Sequence, residues 1–241
     1  MDKFNWKQYI LNYPDLQKAG IDTQQKAWKH YNRFGKSEGR NDKFYFNGIN
    51  NVDIIYFINL EYRKDRYDHI LSEFKKINLN SDKIHKIDGI LNIEKGSIGC
   101  TLSHCKTLEK FIDSGLDNCI IFEDDFTFTS SNTCVNSMFN DFFNSNYFND
   151  FDINLAGSTK TETILEPYLT KIYESKTTSG YIVSKKFAPI LLKNFKETKI
   201  PLDENWIKLQ PISNWYSFKP RIGIQMEGYS DITYKLENYR L

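Results

Sequence analysis

The sequence predicts an α/β domain on a mostly parallel sheet flanked by helices, preceded by a small helical module. Three observations predict it. Apolar runs of strand length alternate with segments whose apolar residues recur at helical spacing, the pattern of crossover units. Of 241 residues, 40% are hydrophobic and 15% aromatic, enough for one large core plus an appendage. Finally, the apolar run Cys119-Ile120-Ile121-Phe122 ends abruptly in Glu123-Asp124-Asp125, at the strand edge where ligands bind in such sheets.

Residues 1–48 form the module and 49–241 the main domain. Trp6, Tyr9, Ile10 and Tyr13 recur at helical spacing before Pro14, and Ala27, Trp28, Tyr31 and Phe34 do so again. Two or three short helices with an aromatic seam are expected. So short a segment builds little core of its own and is expected to pack on the main domain, either as a docking module or as a structural cap.

In the main domain, Asp53–Ile58 reads as a strand, and Tyr67, Ile70, Leu71, Phe74 and Ile77 mark one helix face. Lys83–Ile87 is a second strand. Ser97 is placed to cap a helix whose buried stripe is Ile98, Thr101, Cys105, Leu108 and Ile112, with Gly115 as its stop. Asn118–Phe122 is the strand before the acids. Residues 127–150, rich in Phe, Asn and Ser, read as aromatic anchors on a helix or long loop. Asp152–Ala156 and Gly180–Ser184 are later strands, a helix follows over Lys185–Phe195 with Pro189 as its awkward point, and Ile222–Gln225 closes the pattern.

Composition excludes several functions. Lys plus Arg is 32 against 31 Asp plus Glu, so the basic footprint of a nucleic-acid binder is missing. No apolar run reaches the length of a membrane span, and the amino terminus lacks a signal-peptide core. Cys100, Cys105, Cys119 and Cys134 show no Cys-x-x-Cys spacing. Free thiols are therefore expected, the first three packed as small hydrophobes. The 23 Asn create no Asn-x-Ser/Thr acceptor, which favours a reducing, cytoplasmic location over a lumenal one.

Three adjacent carboxylates at the end of a buried strand raise one another's pKa and are costly to desolvate. A cation best explains them. Oxygen ligands favour a hard divalent ion, Mn²⁺ or Mg²⁺, of the kind that accompanies phosphate. The cluster alone thus points to a metal-assisted enzyme acting on a phosphorylated substrate, the alternative being a purely structural strand-end cluster.

Further motifs accumulate around it: Ile58-Asn59-Leu60 followed by Arg63, Asp65 and Arg66; Ser97 through His104; Ser179 through Ser184; Pro201-Leu202-Asp203-Glu204; and Gly228 through Ile232. In order and spacing the set resembles glycosyltransferase family 25, which includes bacterial lipooligosaccharide glycosyltransferases and collagen hydroxylysine galactosyltransferases. The resemblance covers about residues 52–232. More loosely, the amino-terminal module is similar to segments flanking glycosyltransferases of giant DNA viruses.

The resemblance implies a GT-A type fold, a UDP-sugar donor, a divalent metal, and inverting transfer to a glycan or hydroxylysine-type acceptor. Glu123 then faces the nucleotide sugar or ribose, Asp124 braces the loop, and Asp125 coordinates metal. Asn59 and Arg63 line the nucleotide pocket, and Arg63 or Arg66 forks onto phosphate. For Arg66 an ion pair with Asp65 or a neighbour is the alternative. His104 either reaches the donor or hydrogen-bonds inside the core. Asp203 is the candidate general base, with Glu204 as substitute. Its segment matches the family's Pro-Val-Asp-Glu pattern apart from Leu202, although Asp203 also suits a helix N-cap. Asp231 either approaches the metal or donor or stabilises a turn. Two rivals carry different functions: a catalytically inactive nucleotide-sugar-binding or scaffold protein of the same fold, and a metal-dependent phosphohydrolase. The second is disfavoured because the four His do not pair at ligand spacing.

Overall fold

The computed structural model describes residues 4–38, 40, 42, 48–158, 162–198, 200–230 and 235–237. The chain divides into two compact units, residues 1–47 and 48–241. In the first, helices α1 (Trp6–Asn12), α2 (Pro14–Lys18) and α3 (Gln24–His30) lead into a wide π-type turn over Tyr31–Gly35. Pro14 opens α2, where its missing N–H is no loss. Thr23 caps α3 by accepting from the Lys26 N–H. The expected aromatic seam is present. Tyr9, Ile10, Leu16 and Ala27 are buried with Phe4, Trp6, Tyr13 and Tyr31 against them, whereas Trp28 and Phe34 are nearly half exposed.

The second unit runs β1 (Ile54–Asn59), α4 (Lys64–Lys76), β2 (Ile84–Asp88), α5 (Gly96–Ser114), β3 (Asn118–Glu123), β4 (Phe126–Phe128), α6 (Asn132–Phe143), β5 (Ile153–Leu155), β6 (Glu162–Glu166), β7 (Leu169–Ile172), β8 (Gly180–Ser184), α7 (Ala188–Lys196), α8 (Leu202–Asn205), β9 (Trp215–Phe218), β10 (Gly223–Gln225), β11 (Gly228–Ser230) and β12 (Lys235–Glu237). Eight strands form one sheet in the order β2-β1-β3-β8-β5-β9-β7-β6. The α/β class is as expected, and β1, β2 and β3 pair in parallel. Beyond them the sheet is mixed. β8 is antiparallel to both β3 and β5, β5 and β9 are parallel, and β7 is antiparallel to β6 and β9. Ile222–Gln225 does not join this sheet: β10 pairs with β4 in a separate ribbon.

This topology gathers chain segments at one edge. The carboxyl ends of β1 and β3 lie side by side, with Ile58 opposite Glu123. Because β8 runs the other way, its amino end meets them there, and the Glu123 N–H bonds the Ser179 carbonyl at 2.9 Å. The core under the sheet holds Tyr56, Leu108, Phe111, Tyr181, Trp206 and Trp215. Trp206 and Trp215 meet edge to face at 4.9 Å, a favoured aromatic geometry.

Some helix details differ from expectation. α5 starts before Ser97, with Lys95 at the N-cap and no side-chain cap bond. Ser97 therefore sits in the first turn rather than capping it. Gly115 does end α5, at φ 69°, a conformation Gly adopts without a Cβ penalty. Thr101, Cys105 and Leu108 are buried as expected, but Ile98 is 42% exposed. Pro189 causes no break, because α7 begins at Ala188 and takes the proline in its first turn. The Phe-rich segment supplies β4 and α6, whose Phe139 and Phe142 pack on Phe218. No helix among the described residues is long and apolar enough to cross a membrane.

Candidate active site

The turn from β3 to β4 carries Glu123, Asp124 and Asp125, and aromatic packing fixes it from below. Phe126 packs between Phe122 and Phe128, tilted against the first and edge to face with the second, with centroids at 4.7 and 4.8 Å. Two glycines make room for its ring: a Cβ on Gly180 or Gly223 would fall 2.8 or 2.1 Å from a Phe126 carbon. Helix α4 clamps the same turn. Its buried Glu73 accepts from the Phe128 N–H at 2.9 Å, and His69 Nε2 lies 3.1 Å from the Phe126 carbonyl.

Arg66 projects from that helix into the acids. Its Nη1 donates to Asp124 Oδ1 at 3.1 Å and to Asp125 Oδ2 at 2.9 Å. The alternative pairing of Arg66 with Asp65 is thus corrected. Asp65 pairs with Arg63, through Nε at 2.9 Å and Nη2 at 2.8 Å. Arg66 shares the inward face of α4 with Ile70 and Phe74 and is buried with them. Asn59 is also buried, its amide donating to Asp124 Oδ2 at 2.8 Å and to the Arg63 carbonyl at 3.1 Å. Asp124 is therefore held from two sides, by Arg66 and by Asn59.

Asp125 is 3% exposed. Its Oδ2 also accepts from Gln225 Nε2 at 3.1 Å, while its Oδ1 is buried without a hydrogen-bond partner among the described residues. Burial, then the charge of Glu123, push its carboxyl up to about 7 against the pull of Arg66. Burial likewise lifts Asp124, partly offset by Arg66 and Asn59. Glu123 goes the other way. Burial opposes its ionisation, but the hydrogen bond and charge of His104, with Thr178 and Arg66, hold it below the usual range. A hard divalent cation fits at Asp125, because the orphaned oxygen needs a positive partner and a carboxylate is the ligand such ions prefer.

His104 makes core contacts and also faces a cleft. It is fully buried, its ring stacked on Tyr181 and its Nδ1 2.9 Å from the Tyr181 hydroxyl. Its Nε2 reaches Glu123 Oε1 at 3.3 Å, and it lines a cleft of about 660 Å³ with Arg66, Glu123, Asp124, Asp125 and Gln225. Close packing at Gly99 and Ser103 holds the loop at Ile90, which lines the same cleft. Ser103 Oγ accepts from the Ile90 N–H at 2.8 Å, and a Cβ on Gly99 would lie 2.4 Å from the Ile90 carbonyl oxygen. Cys105 and Cys119 are buried as expected, but Cys100 is only half-buried and opens onto this cleft.

A second cleft, of about 710 Å³, also reaches Gln225 and holds Asp203, Lys176, Thr177 and Arg221. Asp203 lies inside the first turn of α8, and Pro201 occupies the N-cap, so the capping alternative is corrected. Burial raises the Asp203 pKa, as does Glu123, while Lys176 and a hydrogen bond from the Thr177 backbone moderate the rise. Thr177 has φ 87°, a strained conformation for a β-branched residue and of a kind that clusters at functional sites. Glu204 is exposed and pairs with Lys176 Nζ at 2.9 Å. Asp231 lies outside the described residues. The sequence reading missed Thr178, whose hydroxyl donates to Glu123, and Gln225, for which no local signal exists.

Comparison with known proteins places the sequence in a family. Among solved structures, the chain is similar to a glycosyltransferase involved in the glycosylation of the major capsid of PBCV-1, at 7% identity over 74% of this chain and 95% of that one, with a TM-score of 0.46. It is also similar to A197 from STIV, at 11% identity over 72% and 93%, TM-score 0.41. A third likeness is to UDP-glucose pyrophosphorylase complexed with UDP-glucose, at 10% identity over 68% and 72%, TM-score 0.42. No curated protein matches the chain. The sequence model of glycosyltransferase family 25 (LPS biosynthesis protein) matches residues 81–206, a stretch that contains His104, Glu123–Asp125, Asp203 and Glu204. That match covers more than half of the chain, which belongs to glycosyltransferase family 25.

Proposed function

We propose that this glycosyltransferase moves a hexose from a UDP-sugar to a hydroxyl of a glycan or hydroxylysine-type acceptor, with inversion and with Mn²⁺ or Mg²⁺ bound at Asp125. The observation that carries the reading is the buried, unpartnered Asp125 Oδ1 beside a cleft walled by acidic groups. A bound divalent cation would supply charge stabilisation for the departing diphosphate. The remaining work falls to the chain. Glu123, kept ionised by His104 and Thr178, accepts hydroxyl hydrogen bonds from the donor. Arg63 and Arg66 add positive charge at the phosphate side. Asp203, in the adjoining cleft, takes the acceptor hydroxyl proton as the new C–O bond forms and the sugar–phosphate bond breaks. Burial raises its pKa, the direction that strengthens a carboxylate as a general base. The four free thiols support a reducing, cytoplasmic setting.

A second reading is a nucleotide-sugar-binding protein without turnover. One observation favours it: Arg66 already neutralises part of the acid cluster. Thermal shift with UDP-sugars, with and without Mn²⁺, tests donor binding, and transfer assays test turnover. Asp125→Ala should abolish Mn²⁺-dependent stabilisation by the donor. Asp203→Ala should leave that stabilisation intact and cut transfer by about 10²–10⁴-fold. No stabilisation by any nucleotide sugar would remove the leading reading, and binding without turnover in the wild type would establish the second.

A further inference from the structure

We propose that Cys100, His104 and Glu123 form a cation site separate from Asp125, an open three-ligand site for a borderline divalent ion of the Zn²⁺ type. Cys100 and His104 are four residues apart on α5 and so share a face, and Glu123 arrives from the end of β3. One ligand atom from each residue lies within 4.8 Å of the other two. The 3.3 Å between His104 Nε2 and Glu123 Oε1 is the edge that a tetrahedral ion gives with bonds of about 2.0–2.1 Å to nitrogen and oxygen. The thiolate sulfur, with its bond of about 2.3 Å, has to close by no more than about 1.2 Å.

The surroundings suit such an ion. Metal-binding His residues hold their second nitrogen in a hydrogen bond, which fixes the tautomer and aims the ligand nitrogen. Here Nδ1 is 2.9 Å from the Tyr181 hydroxyl and the ring is stacked on Tyr181. The Thr178 hydroxyl donates to Glu123 and orients that carboxylate. All three ligands line the cleft, so the fourth tetrahedral position faces it. Three protein ligands with one open position is the pattern of reactive rather than structural zinc sites. A sulfur–nitrogen–oxygen set selects Zn²⁺ or Co²⁺ over Mg²⁺ and Mn²⁺, which separates this site from the oxygen ligand at Asp125.

The inference does not rest on sugar transfer, and the metal alone tests it. Wild-type protein freed of metal by chelation is titrated with Co²⁺. The expected result is a thiolate-to-cobalt charge-transfer band with one equivalent bound, displaced by Zn²⁺ and not by Mg²⁺. Cys100→Ser should lose the band and weaken Zn²⁺ binding by more than about tenfold. Glu123→Gln should weaken binding while keeping the band, and Cys134→Ser should change neither. Circular dichroism of each variant checks that it is folded. Absence of a band in the wild type at saturating Co²⁺, or a band of unchanged intensity in folded Cys100→Ser, overturns the proposal. Donor binding with Mn²⁺ is measured separately, so the two ideas fail independently.

Discussion

Arg66→Met isolates the charge that holds the acidic turn. Met keeps much of the side chain's length and removes the guanidinium. In the wild type, Nη1 lies 3.1 Å from Asp124 and 2.9 Å from Asp125, and all three side chains are nearly excluded from water. After the substitution Asp124 keeps the Asn59 amide and Asp125 keeps the Gln225 amide, but both lose the ion pair with Arg66. Removing one partner of a buried pair costs about 3–5 kcal/mol, because the other charge stays desolvated. In a unit of this size each kcal/mol moves Tm by about 2–4 °C, so a fall of about 6–20 °C is expected. Urea unfolding followed by tryptophan fluorescence reads it directly, since Trp206 and Trp215 are fully buried in this unit.

Two further arms identify the cause. Near pH 5 Asp125, with its carboxyl at about 7 in the folded wild type, is largely protonated, so the loss should shrink relative to about pH 7.5. Mn²⁺ should also stabilise the variant more than the wild type, because the ion no longer competes with a guanidinium; at a hundredfold excess over Kd the gain is about 2.7 kcal/mol. A loss under about 1 kcal/mol near neutral pH, the scale of a solvated surface pair, would refute the reasoning. So would a loss that is the same at both pH values.

Two other outcomes are expected. In chelator, wild-type stability should fall as pH rises from about 4 to about 7. Asp125 binds its proton more tightly folded than unfolded, so its contribution is present below the ordinary carboxylate pKa and is lost through about 7; Glu123, held low, opposes this only below the ordinary Glu range. Urea midpoints across that window check it, and a flat or rising profile would contradict the burial of Asp125. Gly223→Ala should cost about 1–3 kcal/mol as overpacking, since its Cβ would fall 2.1 Å from the Phe126 ring. An unchanged urea midpoint would show that the ring yields.

Much of the domain was legible because strands of β1, β3 and β8 are continuous apolar runs, and α4 and α5 show helical periodicity. The mixed direction of the sheet was not. A buried strand reads the same whichever way it runs, and β8 carries five buried residues in a row just as a parallel strand does. β6 was missed for a different reason: it is an edge strand with exposed Thr163 and Ile164, so no alternation marks it. At the site, Glu123, Asp125, His104 and Asp203 could be named from motif order. Thr178 and Gln225 could not, because a polar residue in a loop has no signature until the loop is placed.

Arg66 was the readable residue whose meaning lay in spacing rather than type. It stands four residues before Ile70 and eight before Phe74, on the buried face of α4, and a charged residue on that face must meet a counter-charge. A count of apolar positions alone starts the stripe at Tyr67 and leaves Arg66 outside. Including it changes the premise that three adjacent acids require a metal ion. One guanidinium serves Asp124 and one oxygen of Asp125, while His104 and Thr178 serve Glu123. Among the described residues, the one carboxylate oxygen of this cluster buried without a hydrogen-bond partner is Asp125 Oδ1. The electrostatic case for a catalytic cation therefore rests on that oxygen and not on the size of the cluster. Asp125→Asn is accordingly the sharper probe, since it keeps the shape of the turn and removes the ionised oxygen. It should raise metal-free stability near neutral pH and abolish the response to Mn²⁺, and a variant that still responded would move the ion elsewhere in the cleft.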